Sequence, residues 1–140
     1  MGSNESRIEF KQRVNHLIRE PIPASNNDFW VLLFTTKLSA FDIFTLISPD
    51  DVRAMKQSQP HNLAAVIFKS VEQLTLFSQA SRSSQEFTSA KNSLQLLTRL
   101  LPYVFEDDPE FTESFFWKNT LPAFQYKIQV AVQDAQLPTT

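Results

Sequence analysis

The chain holds a single glycine, Gly2, and it stands where glycine has a chemical use. Met1-Gly2-Ser3-Asn4-Glu5-Ser6 fits the N-myristoylation pattern, Met-Gly with Ser or Thr at the sixth position. Loss of Met1 exposes the Gly2 amine, and only glycine leaves that amine sterically open. The small Ser6 hydroxyl and the following Arg7 complete the recognition segment. One myristoyl chain binds a bilayer marginally, with K about 10⁴ M⁻¹, so a second membrane signal is expected. Residues 2–20 offer Arg7, Lys11, Arg13 and Arg19 against Glu5, Glu9 and Glu20, a net charge of +1. At about 1 kcal/mol per basic residue near an anionic surface, that is weak support. Phe10, Val14, Leu17 and Ile18 recur on one face of a helix, which makes them candidates to insert into a membrane. The competing reading is that this face packs on the helical body.

Other chemistry has little to work with. There is no cysteine, which removes disulfides, thiolate catalysis, zinc-thiolate sites and palmitoylation. His16 and His61 have no His, Cys or carboxylate at ligand spacing on a shared helix face. Without a glycine beyond Gly2, neither a phosphate-cradling loop nor a nucleophile elbow can form. Asp50 with Asp51, and Glu106 with Asp107 and Asp108, sit where helix capping or solvation explains them. Trp30 and Trp117 read as core anchors. Thirteen Lys and Arg against fifteen Asp and Glu leave a net charge of −2, unlike the basic stripe of a nucleic-acid binder. The expectation is no catalytic residue, no metal, no cofactor, no small-molecule substrate and no nucleic acid.

The elements that must carry the N-terminal segment are helical. With 140 residues, 42% hydrophobic and 20% charged, the chain suits one domain, residues 1–140. A first helix over 6–20 stops at Pro21 and Pro23. Asn26 and Asn27 cap a second, starting at Asp28. Ser39 with Asp42 resembles a capping box, and Ser48-Pro49-Asp50-Asp51 is a strong helix start. Pro60 opens a long helix to about Ala80, Ser81–Ser84 is a linker, and Ser83 with Glu86 caps the next helix. Both long helices are apolar on two sides, so each lies between neighbours. Their core line is read as Ile67, Val71, Leu74, Leu97 and Leu101, with Leu94, Leu97, Leu101 and Val104 on one face and Leu96, Leu100 and Tyr103 on the other. Pro102 kinks or ends the second of them. Residues 106–113 read as an acidic loop, and 121–140 as a weakly ordered tail with a last helix near Phe124–Ala135. Phe115, Phe116 and Trp117 form a candidate partner patch. The fold class is all-α, with antiparallel helices stacked as a short α-solenoid of the armadillo or HEAT kind. No apolar run nears the length of a membrane span and the N-terminus has no signal-peptide core, which points to a cytosolic chain.

Several segments together resemble one family. They are Met1-Gly2-Ser3-Asn4-Glu5-Ser6-Arg7, Asn27-Asp28-Phe29-Trp30, Pro60-His61-Asn62-Leu63-Ala64-Ala65 continuing to Lys69-Ser70-Val71-Glu72, and Leu96 through Asp107, with Phe115-Phe116-Trp117 following. Over roughly residues 1 to 120 the chain resembles the N-terminal region of the high-temperature-induced dauer-forming protein family, related to dymeclin. The resemblance implies a non-enzymatic helical protein on the cytoplasmic face of Golgi and trans-Golgi membranes, with a cytosolic pool. It implies anchoring through a myristoylated Gly2, protein partners, and a part in secretory-protein sorting and vesicle formation. Family proteins run to many hundreds of residues, and the tail after about Pro122 does not match clearly. The chain is therefore expected to be a fragment or short form, and the alternative is a soluble helical interaction fragment without a lipid anchor.

Overall fold

The computed structural model describes residues 3–39, 41–79, 83–107, 109–115 and 118. Seven helices follow in order: α1 Ser3–Arg19, α2 Asn27–Thr35, α3 Asp42–Leu46, α4 Pro49–Ser58, α5 Pro60–Gln79, α6 Ser84–Val104 and α7 Pro109–Phe115. Among the described residues there is no strand. None of their helices is long and apolar enough to cross a membrane.

Helix starts are written locally. Ser48 accepts the Asp51 amide at 3.0 Å and Asp51 accepts the Ser48 amide at 3.0 Å, with Pro49 at the first helical position. Ser83 and Glu86 repeat this box at the head of α6. Asn26 caps α2 by accepting the Phe29 amide at 3.3 Å. Each such cap contributes about 1 kcal/mol.

Several helix ends are closed by side chains from far away, beside local donors such as Thr36 on the Leu32 carbonyl in α2 and Ser58 on the Ala54 carbonyl in α4. A helix leaves its last four carbonyls without intrahelical partners, and glycine past the end is the common remedy. Here no glycine follows Gly2. Asn62 of α5 donates to the Leu17 and Glu20 carbonyls at the end of α1, both at 2.8 Å, and accepts the Ile22 amide at 3.0 Å. Asn92 of α6 donates to the Phe34 and Thr36 carbonyls at the end of α2, at 2.9 and 2.7 Å. Lys11 and Arg99 reach the carbonyls of Leu46 and Phe44 in α3, at 2.9 and 3.0 Å. Lys56 of α4 donates to the Val104 carbonyl at 2.9 Å, and so closes α6.

The core gathers Phe10, Val14 and Leu17 of α1, Trp30, Leu33 and Phe34 of α2, Val52 and Met55 of α4, Leu63, Val66 and Ile67 of α5, and Leu96, Leu100 and Val104 of α6. Both α1 and α6 lie against sequence neighbours and more distant elements alike: α1 against α2, α3, α4 and α5, and α6 against α2, α3, α4 and α5. A one-dimensional stack touches only nearest neighbours. The fold is all-α as expected, but these contacts do not confirm a solenoid-like stack, since α1 and α6 share α2, α3, α4 and α5 as neighbours.

Four further expectations change. Phe10, Val14 and Leu17 are buried against protein, and Ile18 is half-buried against the same core, so they are not a membrane-facing stripe. The helices on either side of α1 supply the partner surface that a bilayer was expected to supply. Of the expected core line, Ile67 is buried, while Val71, Leu74, Leu97 and Leu101 are half-buried. The buried line of α6 runs through Ser89, Ser93, Leu96, Leu100 and Val104, and Leu94 is 58% exposed. Small residues let α5 approach that line closely, a signal that counting apolar side chains misses. Residues 109–113 of the acidic segment are helical rather than loop, because Pro109 opens α7 and Thr112 and Phe115 bury its inner face. Phe115 is thus a core residue at 5% exposure and not a partner patch. Gly2, residues 81–82, Phe116, Trp117 and the tail 121–140 lie outside the described residues.

The α6 register makes a contrast measurable by urea unfolding. Leu96→Ala should lower stability by about 2–5 kcal/mol, and Leu94→Ala by under about 0.5 kcal/mol. Equal costs at the two positions would show the register to be wrong.

Candidate functional site

The recognition segment for the N-terminal amine runs directly into α1. Ser6 is half-buried. Arg7 is not a free recognition group: its Nη1 lies 2.8 Å from Asp42 Oδ1. The other Asp42 oxygen accepts the Ser39 amide at 2.7 Å. Asp42 is 5% exposed, so this pair fastens α1 to the start of α3. Lys11 reaches Asp51 Oδ2 at 2.8 Å, the oxygen that also closes the α4 capping box. Burial pushes the Asp51 carboxyl up, but Lys11 and the Ser48 amide and hydroxyl outweigh it and hold the group below the usual carboxylate range.

Two of the four bases counted for a membrane are therefore engaged with carboxylates inside the fold. Arg13 and Arg19 remain, against exposed Glu5, Glu9 and Glu20.

The acidic residues after α6 serve architecture too. Arg53 Nε lies 2.9 Å from Glu106 Oε2 and its Nη1 3.0 Å from Asp50, with the guanidinium 5.1 Å above the Tyr103 ring. The Arg53 hydrogen bond holds the Glu106 carboxyl below its ordinary range. Lys56 pairs with Asp107 while capping α6. Among the described residues, no group of three or more His, Cys, Asp or Glu could hold a metal ion. The charged groups that meet here are fixed between helices.

Two concavities open at the surface. A cleft of about 590 Å³ between α1 and α2 is lined by Glu9, Arg13, His16, Arg19, Asp28 and Phe29. His16 stacks on Phe29 there, with ring centres 6.4 Å apart. A groove of about 400 Å³ between α2, α5 and α6 includes Trp30, Val31, Phe34, Lys69 and Leu76. Lys69 Nζ lies 5.2 Å from the Trp30 ring centre, a cation–π contact at the groove wall. Sequence reasoning missed this groove and also missed Phe41, which is 76% exposed at the foot of α3. The exposure of Phe41 follows from Ile43, not Phe41, taking the inward place in a five-residue helix.

Comparison with known proteins gives a family-model match described as high-temperature-induced dauer-formation protein, over residues 1–139. The match includes the tail after Pro122 that sequence reading set apart. Mouse Protein HID1 is 36% identical over 126 residues, covering 87% of this chain and 16% of that protein. Protein HID1 of Dictyostelium discoideum is 31% identical over 122 residues, covering 85% and 13%. A fission-yeast protein named Ubp5-interacting protein ftp105 is 25% identical over 132 residues, covering 87% and 14%. The chain thus spans about 16% of the length of the mammalian relatives it matches. No solved structure matches it.

The lowered Asp51 carboxyl fixes the sign of a pH effect. A depressed folded-state value stabilises the fold above the ordinary carboxylate range, near 3.8, and the benefit is lost as pH falls through the folded value. Lys11→Met should cost about 0.5–1 kcal/mol at neutral pH. In urea unfolding at several pH values, the difference from wild type should shrink below about pH 4, leaving only the lost Leu46 bond. A difference that grows on acidification would contradict the pairing.

Proposed function

The chain belongs to the high-temperature-induced dauer-formation protein family, and from that premise we propose that it is a non-enzymatic helical module held on the cytoplasmic face of Golgi and trans-Golgi membranes by a myristoylated Gly2. Its role in this reading is secretory-protein sorting and vesicle formation. The observation that carries the anchor is the Met1-Gly2-Ser3-Asn4-Glu5-Ser6 pattern in a chain with no other glycine. The packing supports the order of importance among membrane signals. Arg7 and Lys11 are tied to Asp42 and Asp51, and Phe10, Val14 and Leu17 are in the core. The acyl chain, at about 0.8 kcal/mol per buried methylene, is then the main source of membrane affinity.

A second reading is a helical protein-interaction module with no lipid. The fission-yeast relative named for interaction with Ubp5 supports it, as does the open groove beside Trp30.

Intact mass of the protein made in eukaryotic cells separates the two. The anchored reading expects loss of Met1 with addition of a myristoyl group, and release of Gly2→Ala from Golgi membranes on fractionation. An unmodified N-terminus, or a Gly2→Ala form that stays on membranes, would move the anchor to a protein partner.

A further inference from the structure

We propose that the outer stripe of α6, formed by Phe87, Leu94 and Leu101, is the docking face for residues 121–135 of the same chain, which lie along it as a helix antiparallel to α6. The inference goes beyond the membrane reading and does not depend on Gly2.

The stripe is set by one helix. Phe87, Leu94 and Leu101 recur every seventh residue within the continuous helix Ser84–Val104, so they share a face. Phe87 and Leu94 are each 58% exposed, and Leu101 is half-buried. Leu97, half-buried and one turn from both Leu94 and Leu101, widens the stripe. The inward line of the same helix, Leu96, Leu100 and Val104, is already buried in the core. Its described neighbours α2, α3, α4 and α5 thus leave the outer stripe open. Phe77 of α5 holds the Phe87 ring at the head of the stripe, with ring centres 6.2 Å apart. An aromatic already held in place loses little freedom on binding.

The tail suits this face in reach, length and spacing. Thr112 of α7 donates to the Val104 carbonyl at 3.5 Å, and Phe115, one turn further, is in the core. The end of α7 is therefore close to the end of α6, one turn from Leu101. Residues 116–120 can span up to about 17 Å, enough to pass round a helix. A helix from Leu121 to Ala135 is about 21 Å long, and so is α6 from Phe87 to Leu101. Leu121, Ile128 and Ala135 repeat the spacing of seven, with Phe124 and Val132 on the same side. Lys127, Gln133 and Asp134 fall on the opposite side. Run antiparallel, Leu121 meets Leu101, Ile128 meets Leu94, and the small Ala135 meets the bulky Phe87. A short tether gives the segment an effective concentration in the millimolar range, which a second copy at micromolar concentration does not match.

The chain contains no cysteine, so one introduced pair reads the contact in the full chain. Under mild oxidation, Leu94→Cys with Ile128→Cys should close an intramolecular disulfide about tenfold faster than Leu94→Cys with Val130→Cys, whose second position faces away. Adding Phe124→Asp to the first pair should slow closure about tenfold, because a charge replaces an apolar ring at the contact. Leu94 is exposed and positions 124, 128 and 130 follow α7, so these variants leave the seven-helix core intact. Undocking is a local step separate from global unfolding, so the readout is closure rate in the monomer rather than urea stability. Equal rates for the two pairs, or no disulfide in either, would overturn the docking. Disulfides formed only between chains would assign the stripe to a second copy and overturn it equally.

Discussion

Helix ends in this chain cannot be closed by glycine, and the rest of the fold depends on how they are closed instead. After Gly2 no residue takes the left-handed conformation without a steric cost. Carbonyls left unpaired in a buried place cost about 1–3 kcal/mol each. The fold meets this by sending a donor from one helix to the end of another. Asn62 serves α1, Asn92 serves α2, Lys11 and Arg99 serve α3, and Lys56 serves α6. Each closure spans at least 35 residues of sequence, so no end is completed until its neighbour has docked. Secondary and tertiary structure are thereby linked more tightly than in a chain whose helices cap themselves.

That constraint also governs where charge is available. Lys11, Lys56 and Arg99 look like surface bases in the sequence, yet each ends on a backbone carbonyl. On the first helix the same holds for Arg7 and Lys11, which are tied to Asp42 and Asp51, while Arg13 and Arg19 are not drawn into such pairs.

Helix starts were legible because their partners lie three residues apart. The boxes at Ser48 with Asp51 and Ser83 with Glu86, and the proline starts at Pro49 and Pro60, read directly off the chain. The distant closures of helix ends were not legible, because those donors lie on other helices. The single glycine was a usable clue: several helices with no glycine require tertiary donors, and Asn62 and Asn92 stand on otherwise apolar or small-residue faces. The register of α6 was misread because Ser89 and Ser93 mark close packing as surely as leucines mark bulk. The acidic segment was misread because five carboxylates outweighed the helix-starting Pro109. The Gly2 motif needed no fold to be read, and its residue lies outside the described part.

Urea unfolding of Asn62→Leu tests the capping account most directly. Leucine branches at the same carbon as asparagine but carries bulkier methyl groups, so Asn62→Ala is measured beside it to separate overpacking from the loss of three hydrogen bonds to the end of α1 and its following turn. The account predicts a loss of about 2–4 kcal/mol, with earlier amide exchange over the last turn of α1. Stability equal to or above wild type would contradict it, since the buried carbonyls would then need no donor from α5.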